Sequence, residues 1–298
     1  FLSLLVSYPF WSTHTAFDGW LLLGMGLLLG LGVWDDYYGV EARRKAWLQA
    51  VFVLLVVGGG GWRLTSLGMV APGVELTLGP LAGYAFTVVA VFALINAVNM
   101  LDGMDGLAAG YSVGALVWLT GFAAAAGLPH LTELPLWLIG ALAAFLIFNM
   151  RNPWRRKAAI FLGDAGSLMV GAALALLAIR IAESQSSLPP VVFAWLFALP
   201  VYDAANLFLR RLATRRHPFC ADREHLHHVL ERLDVPHHQV VYLLVAAGFL
   251  SGGAGYGLWR LGMGEAALFW AFVGGWVAYV VAVTGLGRWA DARGADCH

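Results

Sequence analysis

Long apolar segments follow one another along this chain of 298 residues, and they leave few ways for it to fold. Hydrophobic residues make up 60% of the sequence and charged residues only 12%. A water-soluble domain cannot bury this much apolar surface, whereas a helix of about 20 apolar residues crosses a bilayer. The sequence therefore predicts an all-α, polytopic transmembrane helical bundle, in which each helix satisfies its own backbone hydrogen bonds.

A partial span at residues 1–11 and nine further candidates give about nine to ten spans. No linker or internal repeat divides the chain, so residues 1–298 form a single integral membrane domain. Its longest polar connection, residues 210–239, is rich in arginine and histidine. The nine candidates are Gly19–Trp34, Trp47–Gly60, Leu81–Val98, Leu107–Leu128, Leu134–Phe148, Ala165–Ile181, Val191–Leu209, Val240–Trp259 and Ala266–Leu286.

Basic residues are concentrated in alternate connections of this bundle. With the loop after Asp35 on the inside, only Arg63, Arg180 and Arg260 of the 18 basic residues lie outside. Short loops that are rich in Lys and Arg stay in the cytoplasm, so the Asp35 face is predicted to be cytosolic. The 18 acidic residues balance the basic ones, which argues against a nucleic-acid partner.

Acidic residues gather at span ends on this same face. Carboxylates next to hydrocarbon are costly and therefore indicate function, although any single one can sit in the wet interface. Several helix ends that share the feature favour a common site. The candidates are Asp35, Asp36, Asp102, Asp105 and Asp164.

The segment INAVNMLDGMDGLAAG places three polar residues at intervals of three: Asn96, Asn99 and Asp102. If the helix continues, they line one face, and the following glycines let the backbone approach a ligand. Amide and carboxylate oxygens suit a divalent cation that bridges to phosphate. Asparagine also joins membrane helices, which is the alternative reading for Asn96.

Asp164 precedes the span from Ala165, and this position predicts that its side chain caps that helix, with Ser167 as the third helical residue. Capping alone would explain an aspartate here. A helix start also attracts phosphate oxygens, so a metal beside it would complete a diphosphate site.

The connection at 210–239 contains three histidines within four residues: His225, His227 and His228. A zinc site would need adjacent side chains to turn to one ion, and the nearby Cys220 lacks a partner pattern. Recognition of phosphate by arginine and histidine donors fits better, with Arg223 as the main guanidinium candidate. A merely positive inner loop explains the arginines at 210–216 well.

Four strings in this order, GVWDDYYGVEARRKAWLQ, NAVNMLDGMDGLAAG, AAIFLGDAGS and HPFCADREHLHH, resemble the polyprenyl-phosphate N-acetylhexosamine-1-phosphate transferases of glycosyltransferase family 4. The resemblance covers nearly all of the chain. Family members carry a further span and inner loop that would precede Phe1, and HLHH is similar to the branch that uses UDP-N-acetylglucosamine.

The resemblance implies a role for each matching residue. The family's Asp-Asp pair near the lipid phosphate matches Asp35 and Asp36, and its metal-associated residues match Asn99 and Asp164. The remaining matches are an acidic nucleotide pair (Asp102 and Asp105), a uracil-stacking aromatic (Phe161), basic neighbours of the Asp-Asp pair (Arg43 and Lys45), and a loop for the diphosphate and amino sugar (Arg223, His225, His227 and His228).

The resemblance also implies a reaction. An enzyme of the bacterial inner membrane would transfer N-acetylglucosamine 1-phosphate from UDP-N-acetylglucosamine to undecaprenyl phosphate at its cytosolic face, with release of UMP. Mg²⁺ is the implied cofactor, with Mn²⁺ tolerated, and membrane lipid and a homodimeric partner are compatible with the family. Another UDP-N-acetylhexosamine, including the muramoyl-pentapeptide substrate, is the alternative within the family.

Two readings of other classes compete with a transferase. A transporter also places acids in membrane helices, but usually near the bilayer midplane and beside interrupted helices. The central stretches here are apolar apart from Asp203, which lies near one end of its span. A non-catalytic membrane scaffold would bind no nucleotide.

Overall fold

The computed structural model describes residues 1–10, 15–151, 155, 157–184, 188–213 and 225–295 of the chain. They form a helical bundle with one small hairpin; helices cover the nine predicted segments, one of which is divided between two helices. The helices are α1 Leu2–Ser7, α2 Ala16–Tyr38, α3 Ala42–Gly60, α4 Pro80–Met100, α5 Leu107–Ala125, α6 Glu133–Asn149, α7 Gly163–Glu183, α8 Pro190–Leu196, α9 Ala198–Ala213, α10 Leu226–Arg232, α11 His237–Arg260 and α12 Glu265–Ala295.

Seven helices of the described residues are long and apolar enough to cross a membrane, and the bent pair α8 and α9 would make an eighth span. The expected nine to ten spans are therefore not confirmed. The predicted partial span at residues 1–11 is not counted, because its helix α1 has only 6 residues and is too short to cross a membrane. Helix α3 carries three consecutive basic residues directly after Ala42, so its apolar part is too short to be counted as a span. It nevertheless runs beside α2, because Trp62 just beyond its end lies 4.8 Å from Phe17, measured between ring centroids.

The predicted span Val191–Leu209 is interrupted, because α8 and α9 meet at an angle of 78°. Proline at position 200 lacks an amide N–H, and its ring would clash with the carbonyl four residues earlier in a continuous helix. That carbonyl belongs to Leu196, the last residue of α8. It accepts a hydrogen bond from the Tyr111 hydroxyl at 2.9 Å instead, which satisfies the oxygen inside the bundle.

An antiparallel hairpin, which the all-α prediction did not include, joins α3 to α4. Strand β1 (Ser66–Ala71) pairs with β2 (Val74–Thr77) through a Pro-Gly turn. Gly73 has a φ of +74°, as the third residue of a type II turn requires. Glu265 at the start of α12 accepts from the Met69 amide at 2.9 Å and so fixes the hairpin to the bundle. A Pro-Gly pair between short apolar runs was the sequence signal for it.

Helix α7 forms the centre of the bundle and packs against α2 and α4. In its apolar window 78% of the residues are buried, against 11% in α12. Close approach of α2 and α7 depends on Gly32, where an added Cβ would lie 2.3 Å from the Cα of Ala165. Because this contact is between two backbones, neither side can yield by a change of rotamer.

We expect Gly32→Ala to destabilise the protein by about 1–3 kcal/mol, as overpacking of a close contact does. Gly30→Ala is the matched control in the same helix, because nothing lies within 4 Å of its added Cβ. That variant should be neutral or gain up to ~1 kcal/mol from helix propensity. Thermal unfolding in detergent measures both, and equal effects of the two substitutions would contradict the close approach.

Candidate active site

The ends of α2, α3 and α7 meet around the ammonium group of Lys45. Its Nζ donates to Asp35 Oδ2 at 2.8 Å and also to Asp164 Oδ2. Val40 donates its amide to the other oxygen of Asp35 at 2.6 Å. These residues lie far apart in the chain, and one cation holds two carboxylates together at the edge of the apolar bundle.

Asp36, rather than Asp164, receives the first amides of α7. Its two carboxylate oxygens accept from the amides of Asp164 at 3.1 Å and Ala165 at 3.2 Å. Asp164 itself lies inside the first turn, since α7 begins at Gly163 after Leu162. The prediction that Asp164 caps the helix is wrong, because a carboxylate from the neighbouring helix reaches the free amides first.

A cavity of about 450 Å³ opens beside this cluster. Asn96, Asn99 and Asp102, which were predicted to share one face, all line it, although α4 ends at Met100 before it reaches Asp102. Asn99 donates to Asp164 Oδ1 and to Ser167 Oγ, both at 2.8 Å. Its amide therefore links α4 to the same carboxylate that Lys45 binds.

Asp102 lies just beyond α4, where the chain turns towards α5. Burial and the nearby carboxylates of Asp164, Asp36 and Asp105 together raise the pKa of its carboxyl to about 7, against the lowering effect of a hydrogen bond from the Gly163 amide. A carboxyl with this pKa is about half protonated at neutral pH. It can therefore serve as a neutral donor or as an anion beside a bound cation.

The three histidines of the connection lie on the opposite wall of the cavity. His225 and His227 stack with ring centroids 5.3 Å apart, and the His228 ring lies 4.2 Å from that of His227. Burial and the two neighbouring histidines lower the pKa of His227 to about 3, so it stays neutral at physiological pH. Gly103 permits its approach, because a Cβ there would lie 2.6 Å from His227 Nε2.

Asp203, an acid near one end of its predicted span, holds these three histidines in place. It is 3% exposed, and His225 Nδ1 lies 2.7 Å from its Oδ2. Its Oδ1 accepts from the Tyr279 hydroxyl at 2.7 Å and from the Leu226 amide at 3.2 Å. The carboxylate thus ties α9, α10 and α12 together and orients the His225 ring. An isolated acid in an apolar span was the available signal.

Arg211 and Gln49 also line the cavity, although neither was predicted. Arg211 is only 6% exposed, whereas its neighbour Arg210 is exposed. Gln49 is fully buried and donates no hydrogen bond from Nε2 among the described residues, although its Oε1 accepts from Asn96 at 2.9 Å. His227 Nε2 is buried without a partner in the same way. These groups offer a ligand both positive charge and hydrogen bonds.

Five of the described candidate residues are not among those that line the cavity: Asp35, Asp36, Arg43, Asp105 and Phe161. Asp105 pairs with Arg151, with Nε 2.6 Å from Oδ2, and so separates from Asp102. Phe161 is 77% exposed and precedes α7 by two residues. Arg43 is exposed beside the site. Arg223 lies outside the described residues.

No three His, Cys, Asp or Glu side chains converge on a metal position in the described part of the chain. Mg²⁺ does not need such a set, because it usually binds one or two carboxylates, water and substrate phosphates. Asn99 and Asp164 provide such oxygen donors. The ammonium of Lys45 between Asp35 and Asp164 indicates that this position favours a cation.

Comparisons with known proteins show which family this chain resembles in sequence. A family model described as glycosyl transferase family 4 matches residues 19–182. The chain is similar to the undecaprenyl-phosphate alpha-N-acetylglucosaminyl 1-phosphate transferase of Escherichia coli (strain K12), with 32% identity over 77% of this chain and 62% of the relative. A probable undecaprenyl-phosphate N-acetylglucosaminyl 1-phosphate transferase of Bacillus subtilis (strain 168) is 28% identical over 77% of this chain and 63% of its own length. The chain spans less than two thirds of either relative.

We expect Tyr279→Phe to loosen α10, because it removes one of three hydrogen bonds to the buried Asp203 carboxylate. Loss of such a bond costs about 1–3 kcal/mol, so amide hydrogen exchange in α10 should rise about tenfold. Tyr242→Phe is the control, since that side chain is 49% exposed and makes no hydrogen bond among the described residues. Unchanged exchange in α10 of the Tyr279 variant would contradict the role of Asp203.

Proposed function

Because this chain belongs to glycosyl transferase family 4, we propose that it transfers N-acetylglucosamine 1-phosphate from UDP-N-acetylglucosamine to undecaprenyl phosphate. The products would be undecaprenyl-diphosphate-N-acetylglucosamine and UMP. One observation carries the proposal: Lys45 joins Asp35 and Asp164 at the mouth of a cavity whose other wall holds Arg211 and neutral His227. The names of the relatives, undecaprenyl-phosphate N-acetylglucosaminyl 1-phosphate transferases, support the choice of substrates.

The cavity has the chemistry that a diphosphate needs. Lys45 and Arg211 supply positive charge, and arginine can bind phosphate oxygens through two parallel hydrogen bonds. Gln49 and His227 add buried nitrogens without partners among the described residues. Filling these positions with phosphate or sugar oxygens would remove the cost of leaving buried donors unsatisfied.

The transfer is a substitution at phosphorus. An oxygen of undecaprenyl phosphate forms a bond to the phosphorus that carries the sugar, and the bond from that phosphorus to the oxygen bridging to UMP breaks. The electron pair leaves with UMP. Lys45 and Arg211 would stabilise negative charge as it shifts between the phosphate groups, which is the main demand of phosphoryl transfer.

Direct attack by the lipid phosphate fits the bonding of the two adjacent aspartates. Both oxygens of Asp35 accept hydrogen bonds, from Lys45 and from the Val40 amide. Both oxygens of Asp36 accept amides at the start of α7. A carboxylate held in this way is a weaker nucleophile, and the acceptor is already an anion near neutral pH.

Asn99 and Asp164 would hold Mg²⁺, which would neutralise diphosphate charge when bound, and Mn²⁺ would be tolerated. Asp102, with its raised pKa, would accept a proton more readily than an ordinary carboxylate. Phe161 is exposed near α7 and remains the candidate for stacking on uracil. Arg43, Asp105 and Arg223 keep their proposed substrate roles.

We place the enzyme in the bacterial inner membrane with this site at the cytosolic face. The distribution of basic residues supports the orientation, because Arg180 and Arg260 lie in the last turns of helices that begin near the site. Lipid would then reach the site from the bilayer and the nucleotide from the cytosol. The lipid-diphosphate sugar would serve as the starting unit of a cell-envelope polysaccharide.

We expect Asp164→Asn to reduce UMP release by about 100-fold or more and to weaken its dependence on Mg²⁺. UMP would be measured from UDP-N-acetylglucosamine and undecaprenyl phosphate during magnesium titration. Asp234→Asn is the matched control, because Asp234 is exposed and its φ of +61° suits asparagine. Full activity with normal magnesium dependence in the Asp164 variant would remove this residue from the site, and a transporter would release no UMP.

A second experiment separates direct from two-step transfer. The protein would be incubated with UDP-N-acetylglucosamine labelled at the sugar-linked phosphate, without lipid acceptor, and then denatured. Because both Asp35 and Asp36 are occupied by hydrogen bonds, we expect no labelled protein and no burst of UMP. Recovery of labelled phosphoryl-enzyme would establish a covalent intermediate and overturn direct attack.

A further inference from the structure

A second cavity lies at the same end of the bundle, between α9, α10 and α12. Its volume is about 440 Å³, and it shares no lining residue with the cavity that Lys45 and Asp164 line. Apolar side chains line one part of this cavity, and guanidinium groups line the other part.

Three arginines, Arg210, Arg232 and Arg288, line this cavity beside a single carboxylate, Asp291. That carboxylate already accepts from Arg232 Nη1 at 2.8 Å. The lining therefore has an excess of positive charge. Arg288 is exposed and makes no hydrogen bond or ion pair within the described residues, so its guanidinium remains available. The charge favours an anionic ligand.

Two buried donors in the same lining also lack acceptors. Asn206 is 5% exposed, and neither its Nδ2 nor the Trp276 Nε1 has a hydrogen-bond partner among the described residues. An unsatisfied buried donor costs about 1–3 kcal/mol, so two in one cavity indicate a ligand with acceptor oxygens. A phosphate group would meet both the charge and the hydrogen bonds.

The apolar part of the cavity lies along α12. Trp276, Val280, Thr284 and Arg288 follow one another at intervals of four along one face of α12. They extend over roughly 18 Å of helix, from apolar side chains to a charged one. Since α12 is the least buried of the candidate spans, an apolar chain in this cavity would lie beside a helix that is largely exposed at the surface of the bundle.

We propose that this cavity binds a phosphate-bearing anionic membrane lipid, with its headgroup among the arginines and an acyl chain along Trp276 and Val280. The ligand must be anionic at one end and apolar at the other, which excludes a free nucleotide. Arg232 lies one turn beyond His228 on α10. A lipid bound between α10 and α12 would therefore brace the short helix that carries the histidine wall.

Lipid binding to the full chain in detergent tests the proposal. Phosphatidylglycerol should raise the melting temperature by several degrees, whereas phosphatidylcholine, which carries no net charge, should raise it much less. Native mass spectrometry should detect the retained phosphatidylglycerol. Inorganic phosphate and glycerol 3-phosphate are the soluble probes, and an equal shift with either would show a free-anion site and overturn the lipid assignment.

Variants then locate the binding. Replacing both Arg232 and Arg288 by Gln should weaken phosphatidylglycerol binding about 30-fold, since each basic residue near lipid contributes about 1 kcal/mol. Trp276→Phe, which keeps the apolar ring but removes the donor, should weaken it less. Arg44→Gln is the control, because Arg44 is exposed at the same end of the bundle. Wild-type binding by the double variant would refute the site. The readout is lipid binding, so it stands apart from the UMP assay.

Discussion

The contact between α2 and α7 sets the geometry of the site. Gly32 lets the backbone of α2 approach Ala165 so closely that no side chain fits between them. At this separation Asp36 reaches the first amides of α7, and Lys45 reaches both Asp35 and Asp164. A wider spacing would leave these amides without acceptors and the carboxylates without their shared cation. Helix packing and charge compensation therefore depend on the same glycine.

Compensation of a buried charge also positions the histidine wall, which consists of His225, His227 and His228. Asp203 is a buried carboxylate, and three hydrogen bonds from different parts of the chain compensate for its burial. Two of them come from the start of α10 and one from Tyr279 on α12. The acid thus fixes a short helix that has little apolar surface of its own, and His225 and His227 gain a defined orientation. The buried Asp203 charge is tolerated here because it is hydrogen-bonded on both oxygens.

Local features of the sequence predicted most of the helices and the chemical character of the site. Apolar runs identified nine helical segments, and the spacing of Asn96, Asn99 and Asp102 correctly indicated one lining face. The bend before Pro200 and the role of Arg211 were missed. Adjacent arginines at positions 210 and 211 look alike in the sequence, but they line different cavities because they point to different sides of α9.

By itself the sequence determined an apolar helical bundle, its membership of a transferase family, and a concentration of acids and bases at one end. These properties follow from composition and from short motifs, whose physical effects are local. Only the tertiary structure decided the partners: Asp36 with α7, Asp105 with Arg151, and Asp203 with His225. Hydrogen bonds and ion pairs act over a few ångströms, and packing brings these groups together across long stretches of chain. The second cavity arises in the same way, because its donors come from three separate helices.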